Sequence, residues 1–214
     1  SDNAFSKMIN GYAEGCFEGL GLIGTSNGDN MEVSNVTIKN CGPSVIGVDR
    51  SSNALIGKAK GWRIQATFVD SIVMLSGLSH SSVDLTIIHA DSATLTSSTI
   101  AAAATAAYSG RSNNFFSPFG GELTSICTFF TCDNSLLKAR VFDGAAAPIA
   151  TKSCCKLSAN YGGPMLGNTY DISTDGGALG IVMDARSHIN NKGRLACKNW
   201  GSTYVGINIA PGTS

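Results

Sequence analysis

Three carboxylates fall close together in this chain: Asp70, Asp84 and Asp91. Glycoside hydrolysis uses a pair of carboxyl groups, about 5 to 5.5 Å apart when configuration is retained and roughly 6.5 to 9.5 Å apart when it is inverted. These acids are therefore the candidate catalytic residues. His89 and Asp91 are separated by one residue, which on an extended strand places both on one face. The aspartate would then orient the imidazole for acid–base work, and His80 stands one short step upstream. Trp62 and Arg63 lie beside Lys58 and Lys60 in the turn region 57–65. An exposed indole offers sugar rings a flat apolar platform, and basic neighbours would hold uronate or sialate carboxylates. Trp62, Arg63, His80 and His89 form the candidate substrate-binding set.

Each assignment has a plainer alternative. The acids read equally as solvated surface or turn residues, the histidines as turn caps, and Trp62 as a side chain packed against a neighbouring element. No metal and no cofactor are expected, because the histidines have no evident supporting shell and His188 lies far along the chain. The sequence contains no GxxxxGK[ST] phosphate loop, HExxH or helix-opening GxGxxG, and its one GxSxG match, Gly24–Gly28, falls in the Gly-rich stretch read as tight corners and not in a strand-to-helix elbow. Nucleotide-driven and serine-hydrolase chemistry are therefore not expected.

The elements that must position these residues show a short repeat. From about residue 30 to 100, one or two Ser or Asn residues precede brief β-branched or aliphatic runs: Val36–Ile38, Ala54–Ile56, Ile72–Leu75, Val83–Ile88 and Ala93–Leu95. The steps are about 18 residues, with the last two together making about 21. That spacing suits one coil of a parallel β-helix, in which no coil buries its inward face until neighbours stack on it. Alternation then turns Val36, Ile38, Val83, Leu85 and Ile87 inward and Asp84 outward. The glycines between Gly11 and Gly28 suit tight corners of another coil.

The alanine run 101–107 and the loop-like stretch that follows, with Phe115, Phe116 and Phe119, predict a linker over 109–121 between a β-helix over 1–108 and a second domain over 122–214. The three phenylalanines are expected to seal the end of the helix or an axis between chains. Beyond them, alternating segments 123–131, 136–142, 149–157, 168–173, 179–184, 194–199 and 203–209 predict strands of an antiparallel β-sandwich. The Asp-Gly pairs at 143 and 175 are hairpin signals. Tyr161, Tyr170, Trp200 and Tyr204 are either a carbohydrate face or core. Strand alternation predicts one inward and one outward thiol for Cys154–Cys155.

Composition narrows the function classes. Fifteen Lys and Arg balance fifteen Asp and Glu, and only 14% of residues are charged. A nucleic-acid partner and a membrane surface both lose their electrostatic motive. The charge-free stretches are Ser, Thr and Ala, not the Leu, Ile and Phe of a membrane span. Seven cysteines with irregular spacing and no CxxC read as buried free thiols suited to a reducing compartment. The opening Ser1-Asp2-Asn3-Ala4 has no signal-peptide pattern and suggests an excised piece of a longer protein.

The Ser/Asn-led rungs, above all Met31–Cys41, and the Gly-rich β segments after them give the chain an architecture that resembles the C-terminal half of bacteriophage tailspikes and tail-associated capsular polysaccharide depolymerases. The fold class implied is all-β, a right-handed parallel β-helix followed by an antiparallel β-sandwich-like domain. The resemblance implies a homotrimer on the virion tail, assembled in the host cytoplasm, that binds and often cleaves bacterial surface polysaccharide, capsule or O-antigen. One alternative is a non-catalytic trimerisation and receptor-binding fragment of a tail fibre. Another is a pectate-lyase-like polysaccharide lyase.

Overall fold

A computed structural model of the chain describes residues 6–16, 19–24, 30–42, 44–48, 59–89, 125–144, 153–159, 163–177, 179–183, 188–199 and 207–209. These residues form strands without helices. In chain order the strands are β1 (Ser6–Ile9), β2 (Tyr12–Glu14), β3 (Gly21–Gly24), β4 (Met31–Lys39), β5 (Ser44–Val48), β6 (Ala59–Lys60), β7 (Arg63–Val69), β8 (Val73–Ser76), β9 (Leu78–Ser79) and β10 (Ser82–His89). They continue with β11 (Ser125–Phe130), β12 (Leu136–Asp143), β13 (Ser153–Ser158), β14 (Met165–Leu166), β15 (Thr169–Gly176), β16 (Leu179–Met183), β17 (His188–Ile189), β18 (Lys192–Lys198) and β19 (Ile207–Ile209).

The longer strands alternate. In β10, Val83, Leu85, Ile87 and His89 are buried, while the residues between them reach solvent. Repeating that alternation on each neighbour aligns like with like. The first sheet has the order β1-β4-β7-β10-β12-β15-β18, with β2 also on β4, and the second has the order β3-β5-β8-β11-β13-β16-β19. A third row of short strands pairs β6 with β9 and β14 with β17, joined through bridges from Asp133 to Ser79 and Leu166. From β6 onward the chain visits the short row, the first sheet and the second sheet in turn, and then begins again one strand further along.

The core lies between the sheets. The inward ranks of the first sheet are Val33-Ile64-Val83-Leu137-Tyr170 and Val36-Ala66-Leu85-Ala139-Ile172. In the second sheet Ile46, Leu75, Phe129 and Leu157 make one rank. Val36, Ile38, Val83, Leu85 and Ile87 are all at most 3% exposed, as the alternation required. Burying each aliphatic side chain is worth about 1.5–3 kcal/mol. Gly47, at φ 123, permits the close approach of β5 to β8: a Cβ there would lie 1.9 Å from the Ser76 carbonyl oxygen.

A buried polar ladder runs up the corner between the short row and the first sheet. Ser81 Oγ accepts from the Trp62 amide at 3.1 Å and donates to the Ser79 carbonyl at 2.9 Å. The Ser81 amide donates to Ser135 Oγ, the Ser135 amide to Asn168 Oδ1, and the Asn168 amide to Asn191 Oδ1. Each polar side chain thus satisfies an amide that turning the corner removes from the strand ladder.

Several expectations are corrected. Every strand pair among the described residues is parallel, so the strands after residue 122 do not build an antiparallel sandwich. Alternation identifies a strand but not its direction. The Asp-Gly pairs sit at corners between sheets instead of in hairpins: the Gly144 amide donates to the His89 carbonyl of the preceding coil, and Asp143 lies opposite Gly176. The expected linker 109–121 lies outside the described residues, but β10 and β12 on either side of it pair directly, and the same sheets run through. The repeat length is not constant. Ladder partners are 19 residues apart at Trp62 and Ser81, but 54, 33 and 23 apart at the next three steps. Ile72–Leu75 and Val83–Ile88, read as successive rungs of one stack, lie in different sheets, β8 in the second and β10 in the first. Cys154 and Cys155 are both buried: Cys155 lies opposite Cys127 in the core, and Cys154 Sγ donates to the Gly176 carbonyl at 3.5 Å at the corner that follows β15. Ala54–Ile56, Ala93–Leu95, the alanine run 101–107 and Phe115, Phe116 and Phe119 lie outside the described residues.

Candidate functional site

Each turn from the short row into the first sheet requires one residue with positive φ. Asn30, Gly61, His80 and Asn134 supply it at φ 58, 70, 49 and 46. Asn and Gly tolerate this conformation best, so His80 holds a slot that its neighbours fill with the usual residues. These corners stack through backbone hydrogen bonds of 2.7–3.1 Å, from Asn30 to Lys60, Gly61 to Ser79, His80 to Asp133 and Asn134 to Leu166. Gly61 leaves room for the Asn30 amide: a Cβ there would meet Asn30 Oδ1 at 2.6 Å.

Beside this column, Glu32, Arg63, Ser82 and Leu136 occupy one register row across β4, β7, β10 and β12. Column and row enclose a cleft of about 590 Å³. Its charges are asymmetrically paired. Glu32 bonds Lys7 Nζ at 3.0 Å, whereas Arg63 is exposed and has no ion-pair partner among the described residues. His80 is exposed, with Nδ1 2.9 Å from Ser79 Oγ, so its Nε2 edge is open to a ligand. The cleft therefore offers one uncommitted guanidinium, an imidazole and the amide or hydroxyl groups of Asn30, Asn134 and Ser82.

Two of the four residues expected to bind substrate, Arg63 and His80, line the same cleft. Trp62 also borders the cleft but is 2% exposed. The sugar-platform assignment is corrected, since Trp62 occupies the inward parity immediately before β7 and its amide joins the corner ladder. His89 is likewise buried. Its Nδ1 lies 2.7 Å from Asp143 Oδ1, with the two side chains 1% and 2% exposed. It is a core histidine paired with an aspartate of the next coil, not a turn cap or a ligand group. Asp91, its expected partner, lies outside the described residues.

The two described acids are not brought together. Asp84 is on the outer face of β10, between Gln65 and Lys138, with Arg140 Nη1 at 3.6 Å. Asp70 takes positive φ at the far end of β7, where its amide donates to the Ile88 carbonyl. Five residues of strand separate Asp70 from the row of Asp84, about 16 Å, well beyond either glycosidase spacing. Tyr170 is a core residue whose hydroxyl is held far above the usual tyrosine range by burial. Tyr161, Trp200 and Tyr204 lie outside the described residues. No three His, Cys, Asp or Glu side chains among the described residues converge as a metal site would require, and no described helix is long and apolar enough to cross a membrane.

Sequence reasoning missed Asn30, Glu32 and Asn134. The signal for the asparagines was the polar residue leading each rung, which marks a corner. Which corners share a cleft depends on coil lengths that the sequence does not reveal. Compared with protein-family models, curated proteins and solved structures, the chain finds no match in any of the three.

Proposed function

We propose that the chain is part of a bacteriophage tailspike or tail fibre, a right-handed parallel β-helix that acts as a homotrimer on the virion, and that the cleft binds an acidic bacterial surface polysaccharide, capsule or O-antigen. The repeating order of short row, first sheet and second sheet supports the β-helix, and the hand follows the strong preference of parallel crossovers. The observation that carries the binding reading is Arg63, an exposed guanidinium with no ion-pair partner among the described residues, set in a cleft of amides and hydroxyls. A planar fork of donors matches a uronate or sialate carboxylate, and neutral donors and acceptors match sugar hydroxyls.

Binding without hydrolysis is the favoured form. Among the described residues lining the cleft, Glu32 is the one carboxylate, and it is engaged by Lys7. Two-carboxylate chemistry has no second member there. One observation supports a lyase as second reading: His80 stands beside Arg63, and β-elimination of a uronate needs a cation on its carboxylate and a base near its α-proton.

A glycan array followed by gel analysis of released saccharides tests both readings. The expected result is retention of uronate- or sialate-bearing glycans without release, weakened roughly tenfold or more by Arg63→Ala, since a charge-assisted hydrogen bond is worth about 1.5–3 kcal/mol. Release of unsaturated oligosaccharides that is lost in His80→Ala would establish the lyase. Equal binding of neutral and acidic glycans, or of none, would overturn the assignment.

A further inference from the structure

Cys16 and Cys41 follow β2 and β4 at the same corner of successive coils. The register of β2 on β4, ending at Glu14 opposite Lys39, carries Cys16 opposite Cys41. Backbone hydrogen bonds bracket the pair: the Gly15 amide donates to the Lys39 carbonyl at 3.1 Å and the Gly42 amide to the Cys16 carbonyl at 2.9 Å. Adjacent strands lie about 4.8 Å apart, inside the Cα separation that a disulfide accepts. The side chains are parallel. Cys16 Sγ donates to the Glu14 carbonyl at 3.6 Å and Cys41 Sγ to the Lys39 carbonyl at 3.1 Å, each two residues back. Cys41 Sγ also lies 3.4 Å from the Cys16 amide nitrogen.

A second stacked pair, Cys127 opposite Cys155 on β11 and β13, has similar proximity but is 0% exposed at both residues. Cys16 is exposed and Cys41 is 6% exposed. The difference between the pairs is access.

We propose that Cys16 and Cys41 are a redox pair, oxidised by a low-molecular-weight disulfide such as glutathione disulfide to a bond that ties the first described coil to the second. The Cys16 thiolate attacks one sulfur of the oxidant and expels one thiol, giving a mixed disulfide. The Cys41 thiolate then displaces the second. Two protein S–H bonds and the oxidant's S–S bond are broken, one protein S–S bond forms, and the two electrons and two protons leave on two small thiols. Cys41 is the resolving group because burial pushes its thiol above the ordinary cysteine range and shields it from direct attack. The bond would hold β1 and β2, whose Met8, Ile9 and Tyr12 are exposed, against β4. This inference is independent of what the cleft binds.

The native protein is incubated with glutathione disulfide, its remaining thiols are alkylated, and the digest is mapped by mass spectrometry. The expected product is a peptide joining Cys16 to Cys41, two hydrogens lighter than the reduced pair, with Cys127 and Cys155 unbridged. Cys41→Ser should stop at glutathione on Cys16, and Cys16→Ser should give no adduct at Cys41. Amide exchange of β1 and β2 should slow by about tenfold or more in the oxidised form, as closing a loop of this length implies. A stable glutathione adduct on Cys16 of the unmutated protein, both thiols left unmodified, or a Cys16–Cys41 bridge formed only after denaturation would overturn the proposal.

Discussion

The two large sheets are built from the same period-two strands, yet their outer faces differ. On the first sheet the outward positions meet solvent and carry charges paired across coils, such as Arg194 with Asp171 at 3.1 Å and Lys198 with Asp175 at 2.9 Å. On the second sheet β8 and β11 are buried at every position. Met74, Thr128 and Phe130 have outward parity and are no more than 2% exposed. Parity therefore means solvent on the first sheet, whereas at β8 and β11 the outward side chains are buried as well. The candidate cleft belongs with the first sheet, where outward side chains remain available to a ligand.

The largest test of this contrast is a pair of truncations. Phe130 on the second sheet and Phe142 on the first are both outward by parity, but they are 0% and 46% exposed. Phe130→Ala should cost about 3–5 kcal/mol, and Phe142→Ala less than about 1 kcal/mol, by urea denaturation. Equal costs would mean that the two outer faces are equivalent.

Next comes the interior corner. Asn168 accepts from the Ser135 amide and donates to the Cys132 carbonyl at 2.8 Å. Asn168→Ala removes the partner of the buried Ser135 amide, at about 1–3 kcal/mol, while the Cys132 carbonyl keeps the Leu166 amide at 3.1 Å. Asn168→Asp, which at a pH where the new acid is neutral keeps an acceptor and offers one O–H donor in place of the amide's two N–H groups, should fall between wild type and alanine.

A smaller effect has the opposite sign. Thr128 Oγ1 is buried and has no hydrogen-bond partner among the described residues. Thr128→Val should raise stability by about 1 kcal/mol. The change would be neutral if this face were as wet as that of the first sheet.

The smallest effect is electrostatic. Hydrogen bonds from Lys39 and then Tyr12 hold the Glu14 carboxyl below its ordinary value, and Lys198 and Asn199 do the same for Asp175. A carboxylate whose pKa is lower folded than unfolded contributes stability above its unfolded pKa, and that contribution is lost as pH falls through the folded one. NMR titration should find both midpoints below those of unpaired carboxylates, and Lys39→Ala should move the midpoint of Glu14 upward. The stability difference between wild type and Lys39→Ala should shrink on acidification through Glu14's folded pKa, and it should be small throughout because these pairs are exposed.

The strands of the two large sheets after residue 122 were legible, each overlapping its expected segment, because alternation is local, whereas the two-residue strands β14 and β17 were not foreseen. Their pairing direction was not, since an alternating strand serves either arrangement and only the neighbour alongside decides. Trp62 and Arg63 were legible as a pair of interest, but one-residue parity separated their fates: the indole entered the core and the guanidinium the cleft. His89 was read as a surface residue because nothing nearby in the sequence announces Asp143, which lies 54 residues on.

The sequence by itself determined what local chemistry determines: an all-β chain, the inward ranks at Val83, Leu85 and Ile87, the outward Asp84, and Asn- or Gly-rich corners. Those follow from side-chain alternation and backbone sterics within a few residues. Only the tertiary structure decided which corners stack, because repeats of unequal length set which residue lies beside which. Stacking joined Asn30, His80 and Asn134 around Arg63, placed Cys16 opposite Cys41, and held Asp70 away from Asp84. The outer side of β8 and β11 is buried too, which period-two alternation has no means to foretell.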